Sequence, residues 1–115
     1  MLEKRKNPRY GVMSHAKIPG ILEGKNLLKD ISITGCRVAC KSAKNVKTGE
    51  KYQIEIEPEK GSHISKFQLE AECKWIQSEG DSTELGFDII SSPKGKQFQS
   101  YVDYLEYLSR NSILS

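Results

Sequence analysis

The stretch that decides the fold is Phe67-Gln68-Leu69-Glu70-Ala71-Glu72-Cys73-Lys74-Trp75. Apolar side chains occupy every odd position of this stretch, and polar or charged side chains occupy the even positions between them. Because side chains alternate between the two faces of a β-strand, this period of two predicts a strand with one buried and one solvated face. The stretch therefore indicates a sheet protein whose core is built from one face of each strand.

Five further short runs with apolar alternation surround this stretch. Turn signals rich in glycine, proline and polar residues separate the runs, at Pro19-Gly20, Glu23-Gly24 and within residues 41–50, 58–62 and 78–82. The apolar and small positions that define the five runs are Val12, Ser14, Ala16 and Ile18; Leu27, Leu28 and Ile31; Cys36, Val38 and Cys40; Tyr52, Ile54 and Ile56; and Leu85, Phe87 and Ile89. Gly86, inside the last run, predicts a bulge or a close approach by another group.

The period changes after the sixth run. Serine is a favoured N-cap and proline a favoured first helical residue, so Ser91-Ser92-Pro93 predicts a helix start. Apolar residues then follow at helical spacing, which predicts an amphipathic helix to about Arg110. The residues of this stripe are Phe98, Tyr101, Val102, Leu105 and Leu108. Six strands and one terminal helix predict a mainly-β fold, a six-stranded antiparallel β-barrel with a C-terminal α-helix.

Length and composition limit the class of protein. The chain has 115 residues, 37% of them hydrophobic and 29% charged, which fits one globular domain. No apolar run approaches the roughly 20 residues that a membrane-spanning helix needs, so no membrane insertion is expected. The basic start has no apolar stretch behind it, which predicts a cytoplasmic protein without a secretory signal. We divide the chain into a mobile basic N-terminal arm, residues 1–10, and a barrel with its helix, residues 11–115.

The cysteines predict no metal site and no disulfide. Cys36 and Cys40 are four apart in one strand, a separation of roughly 13 Å at about 3.3 Å per residue, which is too far for a bridge or a shared metal. Only His15 and His63 are present as histidine ligands. The three cysteines are therefore expected to be small buried apolar side chains in a reduced state.

Two short motifs carry the candidate binding chemistry. Positive charge is concentrated near the N-terminus, where Lys4-Arg5-Lys6-Asn7-Pro8-Arg9 places two arginines four apart around a proline that disfavours helix. Asp30-Ile31-Ser32-Ile33-Thr34-Gly35 lies between two strand runs and predicts a turn with exposed acceptors. A mobile cationic arm and a fixed acceptor-bearing turn would form a two-sided clamp for a planar anion.

These two motifs resemble those of the PilZ domains, bacterial receptors for cyclic di-GMP. Arg5 and Arg9 match the family's Arg-x-x-x-Arg pattern, and Asp30, Ser32 and Gly35 match its Asp/Asn-x-Ser-x-x-Gly pattern. Cys73-Lys74-Trp75 and Leu85-Gly86-Phe87 are similar to the family's late tryptophan strand and closing glycine strand, so the resemblance covers nearly the whole chain. It implies a six-stranded barrel in which the arginine segment lies over the ligand.

The residue types fit such a ligand. The guanidinium groups of Arg5 and Arg9 can fork onto a phosphate or onto the O6 and N7 edge of guanine. Asp30 would accept hydrogen bonds from guanine N1 and N2, and Ser32 would bond phosphate or base. Gly35 would allow positive φ or a close backbone approach. Lys4 and Lys6 would be accessory, adding long-range attraction. We expect no catalytic residue, metal or cofactor.

The predicted mechanism is that cyclic di-GMP orders the N-terminal arm and changes the surface seen by a downstream protein partner, in control of motility, biofilm or virulence. Lys4 stands just before the first arginine, where the family's choice between one ligand and a stacked pair is influenced, so the stoichiometry stays open. The alternatives are a PilZ-type adaptor without nucleotide binding and a small barrel that binds nucleic acid. Polynucleotide binding is not expected, because the strand faces lack interleaved aromatic residues. An enzyme is also not expected, because the sequence has no nucleophile elbow.

Overall fold

The computed structural model of the chain describes residues 14–92 and 96–114. In chain order the elements are β1 His15–Ile18, β2 Leu22–Ile31, β3 Gly35–Cys40, β4 Lys51–Glu57, a 3₁₀ helix Lys60–Ser62, β5 Phe67–Glu79, β6 Ser82–Ser91 and the helix α1 Lys96–Leu114. The strands are antiparallel neighbours in the order β1-β2-β3-β6-β5-β4, and β4 pairs with β1 to close the barrel. The predicted six-stranded antiparallel barrel with a C-terminal helix is confirmed.

The inward faces of the strands form one core. Ile54 and Ile56 of β4 and Leu69 and Ala71 of β5 are at most 1% exposed, as their alternation predicts. Burying a side chain of the size of Leu or Ile stabilises the fold by about 1.5–3 kcal/mol. The outer face of β4 carries Glu55 and other polar residues, so in this strand the period-two pattern separates the core from solvent.

The second strand is longer than its sequence pattern predicts. Glu23-Gly24, which we expected to form a turn, lies inside β2, and the turn is instead at residues 19–21. Gly24 has a φ of 87°, so the glycine marks an irregular backbone position and not a strand end. The turn is closed by the Ile21 N–H, which donates to the Ile18 carbonyl at 2.9 Å.

Two of the four register shifts between the described strands are bulges that reverse the side-chain alternation in β2 and in β5. The β2–β3 register shifts between Leu28 and Asp30, and the β5–β6 register shifts between Cys73 and Trp75. An extra residue in one strand moves the following side chains to the opposite face. Trp75 is therefore 37% exposed while Cys73 is 0% exposed, and the prediction that both lie on the buried face is wrong.

The bulge in β2 acts in the same way. Leu28 and Ile31 are both buried although three positions separate them, and Leu27, which we counted among the apolar strand positions, is 40% exposed. An uninterrupted strand with Leu28 inside would also have turned Asp30 inward. The bulge instead places Asp30 on the outer face of the barrel.

The helix α1 packs its apolar stripe against the barrel. Phe98, Tyr101, Val102 and Leu105 are buried, as their spacing predicts. The ring centroids of Phe67 and Phe98 lie 5.9 Å apart, which joins the helix to β5. None of the helices in the described ranges is long and apolar enough to cross a membrane.

The helix ends later than predicted, and its predicted start lies partly outside the described residues. Ser91 is the last residue of β6, and the Ser92 hydroxyl donates to the Gln68 carbonyl at 2.8 Å. Pro93 lies outside the described residues. The helix continues past Arg110 to Leu114.

Some predictions fall on the remaining parts of the chain. The arm of residues 1–10, with its boundary at residue 10, and Val12 of the first run lie outside the described residues. Ser14, Ala16 and Ile18, the other members of that run, are buried as predicted. Cys36, Cys40 and Cys73 are free and buried, in agreement with their expected role as core side chains.

Candidate ligand-binding site

The turn between β2 and β3 is held by the hydroxyl of Ser32. The backbone N–H groups of Thr34 and Gly35 both donate to Ser32 Oγ, each at 3.3 Å. The Ser32 N–H in turn donates to the Gly35 carbonyl at 2.8 Å. Side chains of this type stabilise tight turns by bonding to nearby backbone groups. The turn is therefore held in shape by hydrogen bonds among its own residues.

Gly35 is required by a close approach of two strands. A Cβ built at Gly35 would lie 2.8 Å from the carbonyl oxygen of Phe87 on β6. Gly35 is not among the described residues with positive φ. Of the two reasons that the sequence offered for this glycine, the close backbone approach is the one that applies.

Asp30 is paired with an arginine that the motif does not contain. Asp30 of β2 and Arg37 of β3 are direct partners across the sheet. Arg37 Nε donates to Asp30 Oδ2 at 2.8 Å, and an Arg37 Nη2 hydrogen bond reaches the same oxygen. This hydrogen bond to Asp30 is the main cause that raises the pKa of Arg37. The Asp30 side chain is only 8% exposed, so the pair holds the carboxylate in one position.

A half-open depression of about 360 Å³ brings the predicted turn residues together. Asp30, Ser32 and Gly35 all line it. The other residues that line this depression, which we call the Asp30–Trp75 depression, are Cys36, Arg37, Lys74, Trp75, Gly86, Phe87 and Asp88. Its size falls within the range of about 300–1,000 Å³ that is common for small-molecule sites. Arg5, Arg9, Lys4 and Lys6 lie outside the described residues.

Trp75 forms an apolar wall of the depression. Its indole lies so close over Gly86 that a Cβ at that glycine would overlap the ring atoms Cε2, Nε1 and Cζ2. The sequence reading of Gly86 as a place of close approach is therefore confirmed. The pairing of Trp75 with Gly86 across β5 and β6 follows directly from the bulge between Cys73 and Trp75. The partly exposed indole offers a flat surface for a planar ring.

The charged side chains that line the depression balance one another. Asp30 and Asp88 are acidic, and Arg37 and Lys74 are basic. Lys74 Nζ lies 3.8 Å from Asp88 Oδ2 and also 3.8 Å from Glu72 Oε2, so its charge is shared between two carboxylates. The described part of the site therefore offers charged and hydrogen-bonding groups in defined positions, but no net positive charge.

The thiol at the site is not a nucleophile at neutral pH. Burial and, to a smaller extent, the charge of the Asp30 carboxylate together raise the pKa of Cys36 to about 12. Within residues 14–92 and 96–114, no group of three or more His, Cys, Asp and Glu side chains could hold a metal ion. The chemistry that the described side chains offer is hydrogen bonding, stacking and charge pairing.

A closed barrel with a half-open depression on its outer wall, lined by polar and aromatic side chains, has the geometry to hold a small ligand. The chain matches the PilZ domain over residues 3–106. It therefore belongs to the PilZ family, whose domains bind cyclic di-GMP and serve as binding or adaptor modules.

One solved structure supports the same fold. The chain is similar to the structure of the Bacillus subtilis inhibitor of motility, MotI/DgrA, with a TM-score of 0.69 and 18% sequence identity. The similarity covers 96% of this chain and 53% of that chain, so this chain spans about half of that protein's length. No curated protein sequence matches the chain.

The prediction from the sequence missed three side chains that line the depression and can contact a ligand. Arg37, Lys74 and Trp75 were not assigned to the site. Arg37 could have been found, because it stands two residues after Gly35 in a strand whose inward side chains are Cys36 and Val38. Trp75 had no such signal, since its orientation depends on a bulge that alternation does not reveal.

Proposed function

We propose that this chain is a bacterial receptor for cyclic di-GMP that holds the dinucleotide in the Asp30–Trp75 depression. The observation that carries the proposal is the convergence of Asp30, Ser32 and Gly35 with the Trp75 indole in one depression, in a chain of the PilZ family. The site would take up a guanine ring and at least one phosphate. Asp30 would accept from guanine N1 and N2, and Ser32 would bond phosphate or base.

The balance of charge in the depression supports a role for the N-terminal arginines. Cyclic di-GMP carries two phosphates, whereas the described charged side chains that line the depression are two acidic and two basic ones. A dianion needs further cations to bind well. Arg5 and Arg9 would supply them, with forked hydrogen bonds to phosphate or to guanine O6 and N7. Lys4 and Lys6 would add attraction over longer range.

Signalling would follow from a change in the N-terminal arm. The arm would be mobile without ligand and would be held against the barrel when Arg5 and Arg9 close over the dinucleotide. The altered surface would then bind or release a protein partner in the cytoplasm, in control of motility or biofilm formation. Comparing backbone dynamics of residues 1–10 by NMR with and without saturating cyclic di-GMP tests this step. Identical dynamics in the two states would exclude it.

Direct titration tests the binding proposal. Isothermal calorimetry would use cyclic di-GMP, cyclic di-AMP and GMP on the native chain, and the fluorescence of Trp75, the only tryptophan, would serve as a second readout. Cyclic di-GMP is expected to bind most tightly and to change the emission of Trp75. If none of the three nucleotides binds, the adaptor function without nucleotide becomes the better description.

The Arg9→Ala variant tests the role of the arm. Loss of a charged hydrogen-bonding arginine is expected to cost about 1.5–3 kcal/mol of binding free energy, roughly tenfold to more than a hundredfold in affinity. Arg5→Lys is the matched control for geometry, because it keeps the charge and removes the fork. If Arg5→Lys binds cyclic di-GMP as tightly as the native chain, the site recognises the positive charge of residue 5 and not the forked geometry of a guanidinium group.

Salt dependence separates the nucleic-acid alternative. Binding to a polynucleotide releases counterions from many phosphates and weakens steeply with salt, whereas a ligand with two phosphates responds modestly. A steep slope with single-stranded or double-stranded nucleic acid, and no response to cyclic di-GMP, would favour that alternative.

A further inference from the structure

We propose that Arg37 is a positioning residue that fixes the direction of the Asp30 carboxylate and thereby makes the site select guanine over adenine. The inference rests on the proposed function, but it concerns a side chain that lies outside both sequence motifs. It assigns base selectivity to a contact within the barrel that is present without any ligand.

The geometry of the pair restrains the carboxylate. Nε and Nη2 of Arg37 converge on the same oxygen, Oδ2 of Asp30, from the neighbouring strand. Asp30 is nearly buried, so little water is available to replace these hydrogen bonds. An aspartate has only two rotatable side-chain bonds, and a forked donor on one oxygen limits rotation about both. Arg37 therefore restrains the direction in which the carboxylate faces the depression.

That direction decides which purine fits. The Watson–Crick edge of guanine has two adjacent donors, N1–H and N2–H, which a correctly directed carboxylate can accept together. Adenine has an N1 acceptor at the corresponding place, and its lone pair would face a negative oxygen. A site built to bond a donor rejects an analogue without that donor much more strongly than a loose site does. A carboxylate of Asp30 held in this direction therefore favours guanine over adenine, which a freely rotating carboxylate would do much less.

The surrounding charges provide a matched control for this role. Glu84 of β6 lies 3.7 Å from Arg37 Nη1 and 3.0 Å from Lys29 Nζ. Lys29 and Arg37 carry the same charge, share Glu84 as a partner and have almost equal side-chain exposure, 31% and 33%. Lys29 forms its ion pair with Glu84, whereas Arg37 contacts Asp30 directly. Replacing each by methionine therefore removes one similar charge, and only the replacement of Arg37 removes hydrogen bonds to the Asp30 carboxylate.

The experiment measures selectivity as well as affinity. Cyclic di-GMP and cyclic di-AMP would be titrated by calorimetry, or by displacement where binding is weak, on the native chain, Arg37→Met, Arg37→Lys and Lys29→Met. Arg37→Met is expected to lose about tenfold in affinity for cyclic di-GMP and much less for cyclic di-AMP. Arg37→Lys, which keeps the charge and the aliphatic stem, is expected to recover part of the selectivity. Lys29→Met is expected to retain the native ratio of the two affinities.

A double-mutant cycle tests whether Arg37 acts through Asp30. If it does, adding Arg37→Met to Asp30→Asn changes the affinity much less than Arg37→Met does in the native chain. Equal losses for both dinucleotides, or the same loss in Lys29→Met, would overturn the inference and leave the proposed function intact. Absence of cyclic di-GMP binding by the native chain would overturn both. Thermal unfolding of each variant separates loss of fold from loss of selectivity, and Arg37→Lys serves if Arg37→Met does not fold.

Discussion

At the scale of single residues, the contact between Trp75 and Gly86 makes a sharp prediction. In Gly86→Ala the new methyl group would overlap the indole of Trp75, so the indole must move away from its position over residue 86 of β6. We expect a loss of about 1–3 kcal/mol in unfolding free energy and a shift of the tryptophan emission toward that of a solvated indole. Urea denaturation followed by fluorescence measures both quantities.

Gly61→Ala is the control for that substitution. The nearest atom to a Cβ at Gly61 is the Tyr104 hydroxyl oxygen at 4.0 Å, which is ordinary contact distance. This variant should keep the native emission and nearly the native stability. Native emission in Gly86→Ala would mean that the indole does not depend on the glycine.

Residues of the site differ in how well the sequence reveals them. Asp30, Ser32 and Gly35 could be predicted, because a turn between two strands needs such residues and the motif is contiguous. The positions of Asp30 and Trp75 on the outer wall could not, because both depend on bulges. A bulge adds one residue to one strand, and a period-two pattern in the sequence does not reveal where this happens. The two bulges thus determine that Asp30 and Trp75 lie on the outer face of the barrel.

At the scale of elements, the helix α1 is fastened to the barrel by a buried polar cluster. The Ser14 and Tyr101 hydroxyls donate to Glu59 Oε1 at 2.9 and 2.8 Å and also contact each other. Ser14 stands just before β1, Glu59 follows β4, and Tyr101 is in α1. The cluster joins three elements that are distant in the sequence.

Tyr101→Phe tests this cluster. Removing the hydroxyl takes a donor from a partly buried carboxylate, which is expected to cost about 1–3 kcal/mol of stability. Tyr107→Phe is the control in the same helix, because Tyr107 is 58% exposed and should change stability by less than about 0.5 kcal/mol. Urea denaturation by circular dichroism compares them, and equal stabilities would show that the cluster does not fasten the helix.

The helix also illustrates where element prediction fails. Its buried stripe could be predicted from spacing, since tertiary packing keeps a helix-period pattern in register. Its end could not, since the helix continues to Leu114, four residues beyond the predicted end at about Arg110. The turn predicted at Glu23-Gly24 was also wrong, because these residues lie inside β2, at an irregularity in its pairing with β1 where Gly24 takes a positive φ.

At the scale of the whole molecule, burial of thiols and phenols predicts sensitivity to alkali. Burial raises the pKa of Tyr101 above its usual value of 10.0 and that of Cys36 from 9.0 to about 12. Both groups are neutral in the folded protein and lose protons first in the unfolded chain. The stabilisation that these two groups contribute is therefore fully present below about pH 9. The free energy of unfolding then falls as the pH rises, by up to roughly 1.4 kcal/mol per pH unit for each group.

Denaturation at a series of pH values between 8 and 11 measures this loss. The Tyr101→Phe variant should lose less additional stability above pH 10 than the native chain, because it has no phenol to ionise at that position. A stability that stays constant across this range would contradict the prediction.

The closed ring of strands restricts how a partner can recognise this molecule. Each of the six strands has a hydrogen-bonded neighbour on both sides. Among the described strands, open edges are therefore confined to strand ends that extend beyond a neighbour, such as residues 75–79 at the end of β5, which pair with β6 but not with β4. Elsewhere on the closed barrel a partner has to bind side chains, so surface substitutions there can change the choice of partner while the backbone pairing that maintains the fold stays the same.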